Sequence, residues 1–209
     1  MKNLSLLFAS LLPMASFALV GAITPGPVNV LALRHGSQGA QRQAWLYVLG
    51  ASLSYVGVVA TMGLGATQLQ QMLPRLAAAG QWLCAAYLLW LAWKLARAPV
   101  GPQAATLGDA TPSPWQAFGQ GAAVQALNPK AWLYALSAVG VFVLPHTATP
   151  RMALGLLCAV SLLACLLGIG CWAVSGRALV GWLSSPRHQR ALHLALAALL
   201  VASVLGMLA

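Results

Sequence analysis

Residues 4–33 read LSLLFASLLPMASFALVGAITPGPVNVLAL, an apolar run near thirty residues long that carries its own interruption at Thr24-Pro25-Gly26-Pro27. About twenty apolar residues suffice for a helix to cross a bilayer. The run is therefore too long for one straight crossing, and its prolines predict a broken span. Residues 115–144 repeat the pattern, with a break at Asn128-Pro129. Four further apolar stretches, at 44–66, 72–97, 150–175 and 187–208, are each long enough to span. The expected fold is an all-α membrane protein with six transmembrane helices, the first and fourth broken.

Composition points the same way. Among 209 residues Asp109 is the one acidic side chain, against eleven Lys and Arg, and 6% of residues are charged while 60% are apolar. A soluble surface carries roughly 25–35% charged residues, so these few charges suffice only where lipid covers most of the protein, which excludes a soluble enzyme. The net charge of +10 does not indicate nucleic acid. A nucleic-acid binder gathers its basic residues on one face, whereas here they stand singly between apolar runs, as topology signals do. Lys2 and the run from Leu4 resemble a secretory leader, but continuation through Val20 and Ile23 favours a retained first span.

Ser113-Pro114, Thr149-Pro150 and Ser185-Pro186 each set a capping hydroxyl before a proline, the pattern of N-cap and first helical residue. They predict the starts of spans four, five and six. Residues 98–114, APVGPQAATLGDATPSP, hold four prolines and no apolar periodicity, which predicts a solvated linker containing Asp109. The chain divides accordingly into three spans (1–97), a linker (98–114) and three spans (115–209). A shift of 104 residues lays Thr24-Pro25 over Asn128-Pro129. Two halves of three spans each would lie in opposite orientations, and paired broken spans in an inverted repeat mark a transporter's substrate site. Arg34, Arg42, Lys94, Arg97, Arg177, Arg187 and Arg190 flank one side, and Lys2, Arg75 and Arg151 the other, which predicts both termini outside the cytoplasm.

The breaks carry the chemistry. Thr24 is expected to cap a half-helix starting at Pro25, and Asn128 one starting at Pro129. A helix start exposes unpaired N–H groups and a positive dipole end, a ready anion site. Irregular backbone at membrane depth is tolerated only inside protein or around a water-filled cavity. Lys130 adjoins the second break, and an ammonium there costs roughly 2.5–3.5 kcal/mol on insertion scales. It serves either substrate binding or only the carbonyls that the break releases. Gly26 permits close backbone approach, while Asn29 and Gln125 can hydrogen-bond a ligand or act as interhelical contacts. Gly50-x-x-x-Ser54 reads as close helix packing. Trp45, Trp115, Trp172 and Trp182 fall near span ends, as an aromatic belt would. His193 reads as interfacial. Cys84, Cys158, Cys165 and Cys171 form no paired motif and read as small apolar residues. No cofactor or metal site is indicated.

The stretch GAITPGPVNVLALRHGSQGAQRQAWLYVLGASLSY (21–55) resembles the first signature of the lysine/homoserine exporter family (LysE/RhtB): Pro-Gly-Pro, an Asn, a glycine-bearing loop and a Gly in the second span. QALNPKAWLYALS (125–137) resembles its second, Asn-Pro-Lys-Ala. The resemblance covers nearly the whole chain. It implies a bacterial inner-membrane exporter of amino acids, generally driven by the proton gradient. Members often carry an acid in the second span. Here Gly50-Ala51-Ser52-Leu53-Ser54-Tyr55 has none, which leaves the proton carrier unassigned.

The expected site is Thr24, Pro25, Gly26, Pro27, Asn29, Gln125, Asn128, Pro129 and Lys130. With no acid in any span, a zwitterion of threonine, homoserine or cysteine type fits better than a cationic amino acid, with Ser54 as a further polar contact. The partners are then a small amino acid, protons and the bilayer, with a homo-oligomer left open. The alternatives are a thiol or electron carrier of the DsbD type, which needs paired cysteines near the breaks, and a membrane scaffold.

Overall fold

The computed structural model describes residues 10–38, 40–65, 82, 85–86, 88–98, 100, 113–145, 149–179 and 185–208. Among these all regular structure is helical. The helices are α1 (Leu11–Ile23), α2 (Pro27–Ser37), α3 (Gln41–Leu64), α4 (Pro114–Ala126), α5 (Pro129–Phe142), α6 (Pro150–Ala178) and α7 (Pro186–Leu208). Residues 88–96 are also helical. Much of the span expected at 72–97, and most of the linker with Asp109, lie outside the described residues. So do Lys2, Arg75, Cys84 and Trp182.

Both long apolar runs are broken as expected, the first by a bend of 64° between α1 and α2. Its mechanism differs from the expectation. Pro25 disfavours α geometry in the residue before it, and Thr24 adopts φ −59°, ψ 131°. That ends α1 at Ile23. Gly26 is fully extended, and the next helix begins at Pro27, not Pro25. Thr24 is therefore the C-cap of α1 and not the N-cap of a following helix: its N–H and its hydroxyl both donate to the Val20 carbonyl. The helices that follow the two breaks start at Pro27 and at Pro129. The second break follows expectation: Asn128 is the N-cap of α5, and its side chain accepts from the Lys130 backbone N–H at 3.1 Å.

The three Ser/Thr-Pro pairs start α4, α6 and α7 as expected. Ser113 forms a full capping box with Gln116, whereas the Thr149 side chain makes no capping bond. α3 and α6 are each long and apolar enough to cross a membrane, and the bent α1–α2 pair makes a third such unit. The exterior is apolar, with Leu163 and Leu167 on α6 61% and 67% exposed. Such a surface belongs against lipid, since soluble proteins rarely expose large apolar patches.

The chief helix contacts run between the two halves of the chain. α3 lies along α4, and α6 lies along α1, α2 and α3. Glycines set the spacing. A Cβ at Gly50 would overlap the Phe118 carbonyl, and one at Gly121 the Tyr47 carbonyl, so α3 and α4 meet backbone to backbone. Gly36 and Gly176 do the same for α2 and α6, against Ala173 and Leu33. Within lipid, where apolar burial gives little drive, close approach of small residues supplies the attraction. Gly50 is thus a packing residue, as its spacing suggested. Ser54 is one too, since its hydroxyl donates to the Ala122 carbonyl at 2.9 Å.

A candidate substrate site between the two helix breaks

The breaks face each other across a small cavity of about 40 Å³. Of the expected residues, Thr24, Gly26, Asn29, Gln125, Asn128 and Lys130 line it; Pro25, Pro27 and Pro129 shape the breaks but do not. Asn29, Gln125 and Asn128 are buried, and Lys130 is half-buried.

A chain break at membrane depth leaves carbonyls without helical partners, and here side chains from several helices take them. Lys130 Nζ donates to the Thr24 carbonyl at 3.1 Å, joining the two breaks. Asn29 Nδ2 donates to the Ala22 and Thr24 carbonyls at 2.8 and 2.9 Å. Trp172 Nε1 of α6 reaches the Ile23 carbonyl at 3.0 Å, and Trp132 Nε1 of α5 the Ala126 carbonyl at 2.7 Å. Trp172 is thus committed to a helix break, where its position near a span end suggested an aromatic belt. The Lys130 ammonium also lies 5.5 Å from the centre of the Tyr134 ring, within cation–π range.

The helix starts are not equivalent. In α5 the Asn128 side chain and carbonyl take the Lys130 and Ala131 N–H groups, so that start is capped from within. In α2, Pro27 has no N–H and Val30 bonds to the Gly26 carbonyl. The Val28 and Asn29 N–H groups belong to the first turn, which has no intrahelical acceptors. Among the described residues no partner is found for either. Anion-binding capacity therefore gathers at the start of α2, beside Lys130. A Cβ at Gly26 would stand 3.8 Å from Lys130 Nζ, an ordinary contact, so Lys130 itself does not demand a glycine there.

Sequence reasoning missed Gly21, Ala22, Val28, Tyr55, Ala131, Tyr134, Cys165 and Ile169, which also line the cavity. Tyr134 was within reach of it, standing four residues after Lys130 on the same helix face. Cys165 and Ile169 share a face of α6, and no local signal says which helix that face meets. Cys158, Cys165 and Cys171 are free thiols; the pairing that a thiol carrier needs is absent among the described cysteines. His35 was also missed. Its ring stacks on Tyr47 at 4.7 Å, and its Nε2 meets Gln120 Oε1 at 2.9 Å. The Tyr47 hydroxyl donates to the Val28 carbonyl at 3.0 Å, which braces the first turn of α2. Within the described residues no group of three or more His, Cys, Asp or Glu could hold a metal.

The family model of the LysE type translocator matches residues 19–207, a range that includes both breaks and every residue of the cavity. The chain belongs to the LysE family. Its relatives there include the cysteine/O-acetylserine efflux proteins of Salmonella typhimurium, 35% identical over 193 residues, and of Escherichia coli K12, 33% identical over 192. Each alignment covers 89% of this chain and 91% of the relative. No solved structure matches. As a LysE translocator the protein is a membrane protein, and the paired breaks that carried the resemblance are the segments that enclose its cavity.

Proposed function

We propose that this chain is a secondary exporter of small neutral amino acids and their close derivatives, cysteine and O-acetylserine among them, across the bacterial inner membrane. It uses six spans arranged as two inverted three-span halves, with both termini outside the cytoplasm and the proton gradient as the driving force. The observation that carries the reading is a cavity between two helix breaks whose described lining holds one cation, Lys130, and no carboxylate.

The substrate carboxylate goes to Lys130 and the open N–H groups of α2. A charge-assisted hydrogen bond of that kind contributes about 1.5–3 kcal/mol. A cationic side chain finds no counter-charge in the cavity and a like charge at Lys130, poorly screened away from water. Ligand pockets hold roughly 300–1,000 Å³, so a cavity of about 40 Å³ suits water and not an amino acid. The described conformation is a closed one, and substrate enters when the breaks part. The Lys130–Thr24 hydrogen bond is then a latch between the halves, broken in each cycle of alternating access.

The test is counterflow. Liposomes containing the purified protein and preloaded with unlabelled cysteine should transiently accumulate radiolabelled cysteine, and those preloaded with arginine should not. Absence of cysteine counterflow, or counterflow of arginine with neutral amino acids inert, would overturn the proposal.

A further inference from the structure

Asn29 is 4% exposed, and its two halves are treated differently by the fold. Both Nδ2 hydrogens are engaged, by the Ala22 and Thr24 carbonyls. Turning the amide over would set its oxygen against two carbonyl oxygens, so the hydrogen-bond network itself assigns the orientation. Oδ1 is therefore held as an acceptor, and it is buried with no donor among the described residues. A buried polar atom without a partner costs its full desolvation and calls for an explanation. The Ala22, Ile23 and Thr24 carbonyls of the first break are each engaged by side chains. The Thr24 carbonyl has two lone pairs and takes two donors, Asn29 Nδ2 and Lys130 Nζ. The Ala22 and Ile23 carbonyls take Asn29 and Trp172.

We propose that Asn29 Oδ1 is the receptor for the substrate's α-ammonium group, which makes Asn29 a specificity-determining residue and a free amino group a requirement for transport. The inference rests on the export reading above and extends it. An α-amino acid carries its ammonium one carbon away from its carboxylate. Asn29 offers the matching pair within one residue, a backbone N–H at the open start of α2 for the carboxylate and the amide oxygen for the ammonium. Lys130 Nζ stands on the Thr24 carbonyl as a tethered ammonium. When Lys130 turns to the incoming carboxylate, it releases a Thr24 lone pair, and the substrate ammonium gains a second acceptor beside Asn29. Binding thus exchanges one ammonium for another at the break and couples recognition of the amino group to opening of the latch.

The test compares ligands that differ only at the amino group, as competitors of radiolabelled cysteine counterflow. With wild-type protein, 3-mercaptopropionate, which is cysteine without its amino group, and N-acetylcysteine should compete roughly tenfold to a hundredfold less well than cysteine, the range of one charge-assisted hydrogen bond. Equal competition by either compound overturns the proposal in the wild-type protein alone. With Asn29→Leu, the half-inhibiting concentration of unlabelled cysteine should rise until it approaches that of 3-mercaptopropionate, whose own value stays where it was. If Asn29 only supports the break, both ligands weaken together and the ratio between them survives, which also overturns the proposal. Should Asn29→Leu not insert, Asn29→Ser, which keeps a small acceptor, is read by the same ratio. A wild-type protein without any cysteine counterflow would bring down the export reading, and this inference with it.

Discussion

A lysine at membrane depth signals function by its cost, and the structure gives it a definite partner, the Thr24 carbonyl, across 106 residues of chain. Lys130→Gln keeps a donor for that carbonyl and removes the charge. Counterflow should fall about tenfold to a hundredfold while membrane abundance on an immunoblot stays unchanged. Normal transport would show that the lysine merely tolerates its place. Thr24 contributes its main chain to the cavity, because its hydroxyl is folded back onto Val20. Thr24→Val should therefore transport as the wild type does, a result measured in the same assay; a loss as large as that of Lys130→Gln would show that the hydroxyl faces substrate after all. The site residues named from sequence are those whose chemistry is unusual in a span. Tyr55, Cys165 and Ile169 are ordinary in a span, and only their neighbours make them part of the site.

At the scale of elements, the sequence announces the breaks but not their register. Both Pro25 and Pro27 are compatible with a helix start. The decision falls to Pro27, because Pro25 holds Thr24 in extended geometry and Gly26 continues it. Pro25→Ala relaxes that restriction and lets α1 run on toward Gly26, which would withdraw the Thr24 carbonyl from Lys130. Export should be impaired, with the protein still inserted, as counterflow and immunoblotting would show. The glycine contacts give a separate expectation. Gly121→Ala and Gly176→Ala force a Cβ into the backbone of the facing helix, and overpacking of that kind costs about 1–3 kcal/mol. Both should lower the unfolding temperature in detergent. Gly140→Ala, where a Cβ meets nothing within 4 Å, should not lower it. Equal behaviour of all three would show that the close crossings are not held in the membrane protein.

At the scale of the whole molecule, packing brings together some of the basic residues that lie far apart along the chain. The contacts of Gly36 with Ala173 and of Gly176 with Leu33 set Arg34 and Arg177 at one end of the helix assembly. α7, whose first turns carry Arg187 and Arg190, also meets α2. A common basic end fits one cytoplasmic face. A cysteine replacing Ala209, in protein lacking the four native cysteines, should then react with an impermeant maleimide on intact cells. Reaction only after permeabilisation would invert the topology. The contacts between halves bear on transport as well. Since α3 lies along α4 and α6 along α1 and α2, the alternating access proposed above would slide these glycine-lined crossings past each other.

The sequence by itself determined the solvent of this protein, the number and place of its helix interruptions and the residues that could not be there for packing alone. Scarce charge, long apolar runs and prolines within them act locally, and each has the same effect wherever the helix ends up. The caps at Ser113 and Asn128 belong to the same class, since a side chain reaching two or three residues along its own chain needs no partner helix. Tertiary structure alone decided that the halves interlock, that the Val28 and Asn29 N–H groups of α2 meet no partner among the described residues, and that Lys130, Asn29 and Trp172 divide the carbonyls of the first break among them. Those outcomes depend on which helices come together. In lipid that choice is made by small residues fitting against distant backbone, a match of two surfaces that no single stretch of chain contains.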